Sequence, residues 1–556
     1  FFIEQNLNSI FPLKINIFFK NKLQNFMELI HSKTFCENWG SSIFFIANLL
    51  NFVLATAVFT IPFPMHEVGI ILGTIILAIT CFVSVIACTF IIEALALKNS
   101  MLKQENTILE KAIQEHEQNE QEPRDTTDNK DKDRPTFLSK ASLASNLEDI
   151  QKDNILIPDE KEQELIDNES FEDILERRNT FYIYKRFEIS KLSKALPKAG
   201  YFFVVLTIIF YLYVGVTSNG IIAGNNLKDI IGKTLGINMP DYSYYIIVLS
   251  FFMITIIIAL NNIKHLKKFS MFIMIMRFVI IFLIMGSCFY SMGKYGISKM
   301  KDVPKFDLSN ITVMIGNSLF VFMSHHSIPG MVENFTPQKR LIKLLIVGYI
   351  FSLLFIVLYS YVGLFSFSDP TLSCDKSHDF PIAIQSTFSS NFLGLPVIGY
   401  IINYYPILNV ITSGMQLITL RNNILEAIAG CNRELSNKLN FAEKSGIVPL
   451  LKNFCFNTVV ALPPITIGLL LQNIQSLMKY FSSILGFLLM LIVPILVVNK
   501  YRNLFYKRKY EFSDLNRSFL KNKYGNIFII FMSVVIFSLI IFGFIKNTTN
   551  KTCVNE

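Results

Sequence analysis

Eleven runs of apolar residues recur along the chain: 41–69, 68–97, 200–222, 243–260, 269–291, 311–331, 341–367, 392–418, 454–471, 478–498 and 526–545. Crossing the hydrocarbon core of a bilayer takes about 20 helical residues, and most of these runs approach or exceed that length. A bilayer offers no hydrogen bonds to exposed backbone, so each crossing must satisfy its own N–H and C=O groups as a helix. The fold class that follows is an all-α membrane protein of eleven transmembrane helices. Composition agrees: of 556 residues, 52% are hydrophobic and 17% charged, with a mean hydropathy of +0.43, outside the range of ordinary soluble domains.

The charged residues divide the chain and orient it. Residues 98–198 carry 17 Lys plus Arg against 23 Asp plus Glu, leaving 34 basic and 19 acidic residues for the remainder. With a cytosolic amino terminus, the inner loops hold 19 basic residues and the outer loops nine, the asymmetry that sets topology. The basic excess therefore belongs to membrane loops and gives no reason to expect nucleic acid. The expected organisation is a cytosolic amino-terminal segment (1–40), helices 1 and 2 (41–97), a disordered acidic cytosolic insertion (98–186), an amphipathic segment with helices 3 to 11 (187–545), and a lumenal or extracellular tail (546–556). The insertion, rich in Gln, Glu, Asp and Lys, reads as a solvated linker or as the binding place of a regulator. Cys374 and Cys553 fall on the outer side, where a disulfide is compatible with the compartment. Plasma, endolysosomal and vacuolar membranes all suit such a chain.

Two crossings are unlike simple anchors. The first holds Asn48, Asn51, Thr56 and Thr60 and ends at Pro62 and Pro64. The sixth, ITVMIGNSLFVFMSHHSIPGM, places Asn317 twelve residues before Pro329, with Ser324, His325, His326 and Ser327 between them. Polar side chains and proline at membrane depth are tolerated where they face protein or a water-filled cavity. Each segment therefore reads as an opened helix, the first over 51–62, with an ordinary kinked helix as the alternative. Counting five helices from each start gives two halves, each beginning with an interrupted helix. That is the arrangement of an inverted-repeat secondary transporter, here five plus five with one helix to spare.

Several segments resemble a known family. The 51–69 spacing, FIIEALALKN, FEIS, FVFMSHHSIPGMVENF, YYPILNVITSGMQLITLRNN and LQNIQSLMKYFSSILGFLLMLIVP are similar to amino acid/auxin permease-type transporters, most of all to the transmembrane protein 104 branch. The likeness covers the membrane portion and leaves out 98–186. It implies the leucine-transporter fold, a small solute such as an amino acid held between the first and sixth helices, and alternating access driven by H+ or Na+. In the family a Gly-x-Gly follows the first asparagine. Here Ala55 and Ala57 stand in those places, and alanine disfavours the open backbone that glycine allows.

The expected solute site comprises main-chain amides around Ala55, Thr56 and Ala57, side chains of Asn51 and Thr56, and Ser324, His326 and Ser327 on the opposing wall. Free amides at a half-helix N-terminus favour a carboxylate. For the coupling ion, the middles of the spans contain no Asp or Glu, so a carboxylate relay has no members there. His326 suits a proton, and Thr412 and Ser413 have the hydroxyls that hold sodium. Arg277, midway along the fifth span, must face the interior, either as a counter-charge to solute or as a donor to exposed carbonyls. Adjacent His325 and His326 point about 100° apart on a helix, and no third metal ligand lies near. No nucleotide-binding loop or catalytic constellation is present, so the residues point to no enzyme and no cofactor. The alternative to transport is a transporter-shaped sensor or scaffold without net flux.

Overall fold

The computed structural model describes residues 33–121, 181–260, 263–295, 304–308, 310–332, 335–367, 384–440, 446–508, 510, 512–520 and 523–549. Among the described residues the regular structure is entirely helical. Eight helices are long and apolar enough to cross a membrane, and Tyr242–Ile258 and Ile311–Val321 are shorter apolar helices. The Cys374 and Cys553 expectation and most of the acidic insertion lie outside the described residues.

The first crossing differs from the expectation. Helix α1 runs unbroken from Lys33 to Thr60, beginning inside the segment expected to precede the membrane. The interruption is a single bend at Ile61, whose φ of −71° and ψ of −40° stay helical, after which α2 spans Pro62–Val68; the first crossing is thus nearer to the kinked-helix alternative than to an opening over 51–62. Two local forces place the bend there. Ala55, Thr56 and Ala57 lack the glycine that would favour unwinding. Proline lacks an N–H and suits the first turn of a new helix, so Pro62 sets the restart. Helix α3 then extends over Ile70–Gln121, well beyond Leu97 where the acidic insertion was expected to begin. Its added portion, KQENTILEKAIQEHEQNEQ, is made largely of strong helix formers, which continue a helix already nucleated in the membrane.

Helices α4 (Lys198–Leu235), α5 (Tyr242–Ile258) and α6 (Ile263–Tyr295) follow. The sixth crossing is broken as expected: α7 (Ile311–Val321) stops, residues 322–327 turn, and α8 (Ile328–Val332) restarts. Helix α9 is Leu341–Phe367. The eighth crossing was expected over 392–418, but Pro406 leaves short turns of helix up to Leu408, and the long helix α10 is Asn409–Cys431. Helix α11 is Ile447–Leu470, with Pro463 and Pro464 inside it. Helix α12 (Ile474–Lys507) contains two π-helical turns, Met478–Ser482 and Leu488–Ile492, and α13 is Lys523–Thr549.

Two packed groups result. Helices α1, α3, α7, α8 and α9 form one, and α4, α5, α10 and α11 the other. Helix α6 leans on α1, α9 and α10, α12 on α3, α4 and α7, and α13 on α7. Outward faces keep large apolar side chains such as Phe210, Phe282, Phe351 and Phe531 exposed, as a lipid-facing belt requires. Helix α7 meets the first π turn of α12 at Gly316, where an added Cβ would stand 2.1 Å from the Met478 carbonyl oxygen. Gly316→Ala is expected to force this contact apart at a cost of about 1–3 kcal/mol, read as a lowered unfolding midpoint in detergent. An unchanged midpoint would mean that the helices do not approach this closely.

A candidate solute site at two interrupted helices

An interrupted helix leaves carbonyls without their usual partners, and inside a membrane protein neighbouring side chains must supply them. At the end of α1 the Val58 carbonyl accepts from Tyr359 Oη at 2.8 Å, and the Thr60 carbonyl accepts from Gln475 Nε2 at 3.2 Å. At the end of α7 the Phe322 carbonyl accepts from Ser84 Oγ at 2.7 Å and Tyr349 Oη at 3.2 Å. Both tyrosines belong to α9, so one continuous helix caps both breaks. Gln475 ties the end of α1 to the body of α7. Its Nε2 also donates to the Ser386 carbonyl at 2.8 Å, and its Oε1 accepts from Asn317 Nδ2 of α7 at 2.9 Å. Tyr349, Tyr359, Gln475 and Ser84 went unrecognised in the sequence. Their signal was a polar tip in an apolar run, with nothing to say which carbonyl each would meet.

The expected site residues are placed unevenly. Ser324, fully buried, shares a 2.5 Å hydrogen bond with Tyr349 Oη and lies 3.7 Å from Cys88 Sγ. Its hydroxyl thus belongs to the capping cluster at the α7 break. Half-buried His326 projects between α1 and α4, its ring 6.3 Å from Phe52 and 5.7 Å from Tyr211. Ser327 is half-buried, and its amide donates to the Ser324 carbonyl at 2.9 Å. Both ring nitrogens of neighbouring His325 are buried with no hydrogen-bond partner, as is Nδ1 of His326.

Asn51 meets Arg277. The guanidinium donates to the Asn51 main-chain oxygen at 2.8 Å and to its side-chain oxygen, while Nε donates to Tyr405 Oη at 3.2 Å. The arginine is thus a donor to carbonyl oxygen, one of the two roles its position suggested. The backbone of Ala55, Thr56 and Ala57 is helical, so the free amides expected there are taken up in the helix; the side chains of these three lie outside the described residues. Ser413 on α10 accepts from Asn219 Nδ2 of α4 at 3.1 Å, and Thr412 is half-buried beside it. Where α1 packs on α9, Leu54 and Val58 face Phe355, Ile356 and Tyr359 across a shallow apolar crevice too narrow for a water molecule. Among the described residues no group of three His, Cys, Asp or Glu side chains is placed to hold a metal ion.

One buried ion pair was not anticipated. Glu93 of α3, fully buried, receives Arg502 Nε at 2.9 Å and Nη2 at 2.6 Å from α12, and the Ser518 amide at 3.2 Å. The sequence showed Glu93 near a helix end but gave no sign of its partner some four hundred residues away.

Interrupted helices whose ends are capped by their neighbours, inside a two-group bundle of apolar helices, define the class: a multi-pass, all-helical membrane protein. The chain belongs to the transmembrane amino acid transporter protein family, whose model matches residues 165–546. It is 26% identical to the transmembrane protein 104 homolog of Dictyostelium discoideum over 501 residues, covering 88% of this chain and 93% of that protein. It is 20% identical to human transmembrane protein 104 over 485 residues, 82% and 87% of the two chains. To the Drosophila melanogaster homolog it is 20% identical over 502 residues, 84% and 90%.

Proposed function

We propose that the chain is a secondary active transporter of amino acids or similar small zwitterions, working by alternating access and coupled to a gradient of H+ or Na+. The observation that carries the reading is the pair of interrupted helices, α1–α2 and α7–α8, meeting through Gln475, with His326 set between Phe52 and Tyr211. In such a transporter the breaks supply polar groups at membrane depth and a place where half-helices can move. Asn51, Ser324, His326 and Ser327, with Thr56 and the backbone of Ala55–Ala57, would face the solute. His326 is the proton-coupling candidate, because imidazole exchanges protons near neutral pH. Thr412 and Ser413 are the sodium candidates.

Packing supports an eleven-crossing, five-plus-five arrangement. Let α1 correspond to α7–α8, α3 to α9, α4 to α10, α5 to α11 and α6 to α12. Then α1 against α9 mirrors α7 against α3, α4 against α11 mirrors α10 against α5, and α6 against α9 mirrors α12 against α3. The contacts of α6 with α1 and α10 are matched by those of α12 with α7 and α4. A pseudo-two-fold relation between halves requires this exchange of partners.

A second reading, a sensor or scaffold without flux, is favoured by one feature: α1 stays wound across Ala55–Ala57, leaving fewer free donors for a carboxylate. Reconstituted vesicles separate the two. Gradient-driven uptake of labelled amino acids is expected, with His326→Ala lowering the initial rate tenfold or more. Saturable binding without accumulation, under both pH and sodium gradients, would replace transport with sensing.

A further inference from the structure

The eighth apolar run ends at 418 and the ninth begins at 454, so Arg421 on α10 and Asn453 on α11 stand just outside the apolar runs, at the same edge of the membrane. The structure brings them together: Arg421 Nη1 donates to Asn453 Oδ1 at 3.0 Å, and the two residues are 6% and 5% exposed. Arg421 Nε, however, is buried with no hydrogen-bond partner, and Nη2 donates to no described residue. A guanidinium keeps its charge in proteins. Buried at a seam between helices against one neutral acceptor, it is a charge without a counterpart.

The unengaged edge is the one that grips oxyanions. Nε–H and Nη2–H of an arginine lie parallel and meet two oxygens of a single carboxylate or phosphate. Arg502 shows this within the same chain, holding both carboxylate oxygens of Glu93 through Nε and Nη2. Among the described residues Arg421 has no such partner. Glu426, the one acid on α10, is paired with Lys194 at 2.5 Å, and Glu434 with Lys438 at 2.7 Å. Helix α11 contains no Asp or Glu, and the one acid of α4, Asp229, lies at the opposite end from Tyr201, which bonds the Glu426 carbonyl. Asn457, one turn along α11 from Asn453, donates to the Ala259 carbonyl at the end of α5 at 3.4 Å. From there the chain runs into Lys264, Lys267 and Lys268, and residues 242–301 carry no acid at all. The elements packed on α10 here supply positive charge and no free negative charge.

Lipid borders the same place. Ile447, Val448, Leu450 and Leu451, in the first turns of α11, are all more than half exposed, as side chains facing acyl chains are. Basic pockets between membrane helices at headgroup level take anionic headgroups.

We infer that Arg421 and Asn453 form a binding site for a phosphate group at the α10–α11 seam, with Nε and Nη2 on two phosphate oxygens and Asn453 fixing the plane of the guanidinium. An anionic lipid headgroup and a free phosphate compound carry the same chemistry, and the position at the membrane edge fits the headgroup. The site does not depend on whether the chain transports.

Unfolding midpoints of the full chain in neutral detergent test this. Dioctanoyl phosphatidic acid is expected to raise the midpoint and dioctanoyl phosphatidylcholine to leave it in place. In Arg421→Gln the concentration giving half the effect should rise roughly tenfold or more. Asn453→Asp sets a carboxylate beside the guanidinium, so it should raise the midpoint without lipid and weaken the response to lipid to the same degree; if Arg421→Gln does not fold, this variant decides alone. Lys438→Gln, which removes an exposed charge, should move the half-effect concentration by less than about fivefold. Inorganic phosphate acting as well as phosphatidic acid would keep the site and make its occupant a free phosphate compound. An equal rise with phosphatidylcholine, no rise with either phosphatidic acid or phosphate, or an undiminished response in Arg421→Gln or Asn453→Asp would overturn the inference. So would a midpoint lowered by Glu443→Gln in wild-type background but not in Arg421→Gln, since the chain would then supply the anion itself.

Discussion

Glu93→Ala is expected to destabilise the protein by roughly 3–5 kcal/mol, because it leaves the Arg502 guanidinium buried without its counter-charge. Arg502 is 7% exposed and Glu93 fully buried, so water cannot replace the lost partner. What would remain is the Phe90 ring 5.2 Å below the guanidinium and long contacts at 3.4–3.5 Å to the Leu520 carbonyl and Asn526, which compensate little. Arg502→Ala is expected to cost a similar amount for the converse reason. The double replacement Glu93→Leu, Arg502→Met should recover most of the loss, since two apolar side chains of similar volume carry no desolvation penalty. Unfolding midpoints in detergent around this cycle decide the matter. A single variant that melts with the wild type would mean that the pair holds nothing together.

Gln475→Leu is expected to cost on the order of 2–4 kcal/mol, because it strands several groups together. The Thr60 and Ser386 carbonyls lose a donor and Asn317 Nδ2 loses an acceptor, the Thr60 and Asn317 groups in buried surroundings and Ser386 in half-buried ones. Asn317 keeps its bond to the Val313 carbonyl, so the larger damage falls on the end of α1. The expected signature is local: faster hydrogen exchange at Thr60–Pro64 than at α11, along with a lowered unfolding midpoint. Gln475→Glu retains the acceptor for Asn317 but not the donor for Thr60, and so should reproduce most of the effect. Normal protection at Thr60–Pro64 in Gln475→Leu would show that the break is capped by something else.

The interruption of the sixth crossing was legible because proline and a run of short polar residues, Ser324 to Pro329, leave an apolar helix few ways to continue. That of the first crossing was legible in kind but displaced in position. Polar residues from Asn51 onward suggested early opening, yet a short polar side chain can bond to a helix or a neighbour without unwinding it, and only Pro62 and Pro64 remove donors. The reach of α3 to Gln121 was hidden because charge-rich sequence is compatible with both a solvated coil and the extension of an existing helix. Resemblance to the family was legible in motifs such as FVFMSHHSIPGMVENF.

By itself the sequence determined that this chain lives in a bilayer as helices and that two of its crossings are interrupted. Those properties follow from the local run of residues: length, hydropathy and the missing N–H of proline act over a few turns. Tertiary structure alone decided which side chains close the breaks, that Glu93 meets Arg502, and that Arg277 reaches Asn51. A hydrogen bond across hundreds of residues depends on where whole helices come to rest, and no local pattern encodes that position.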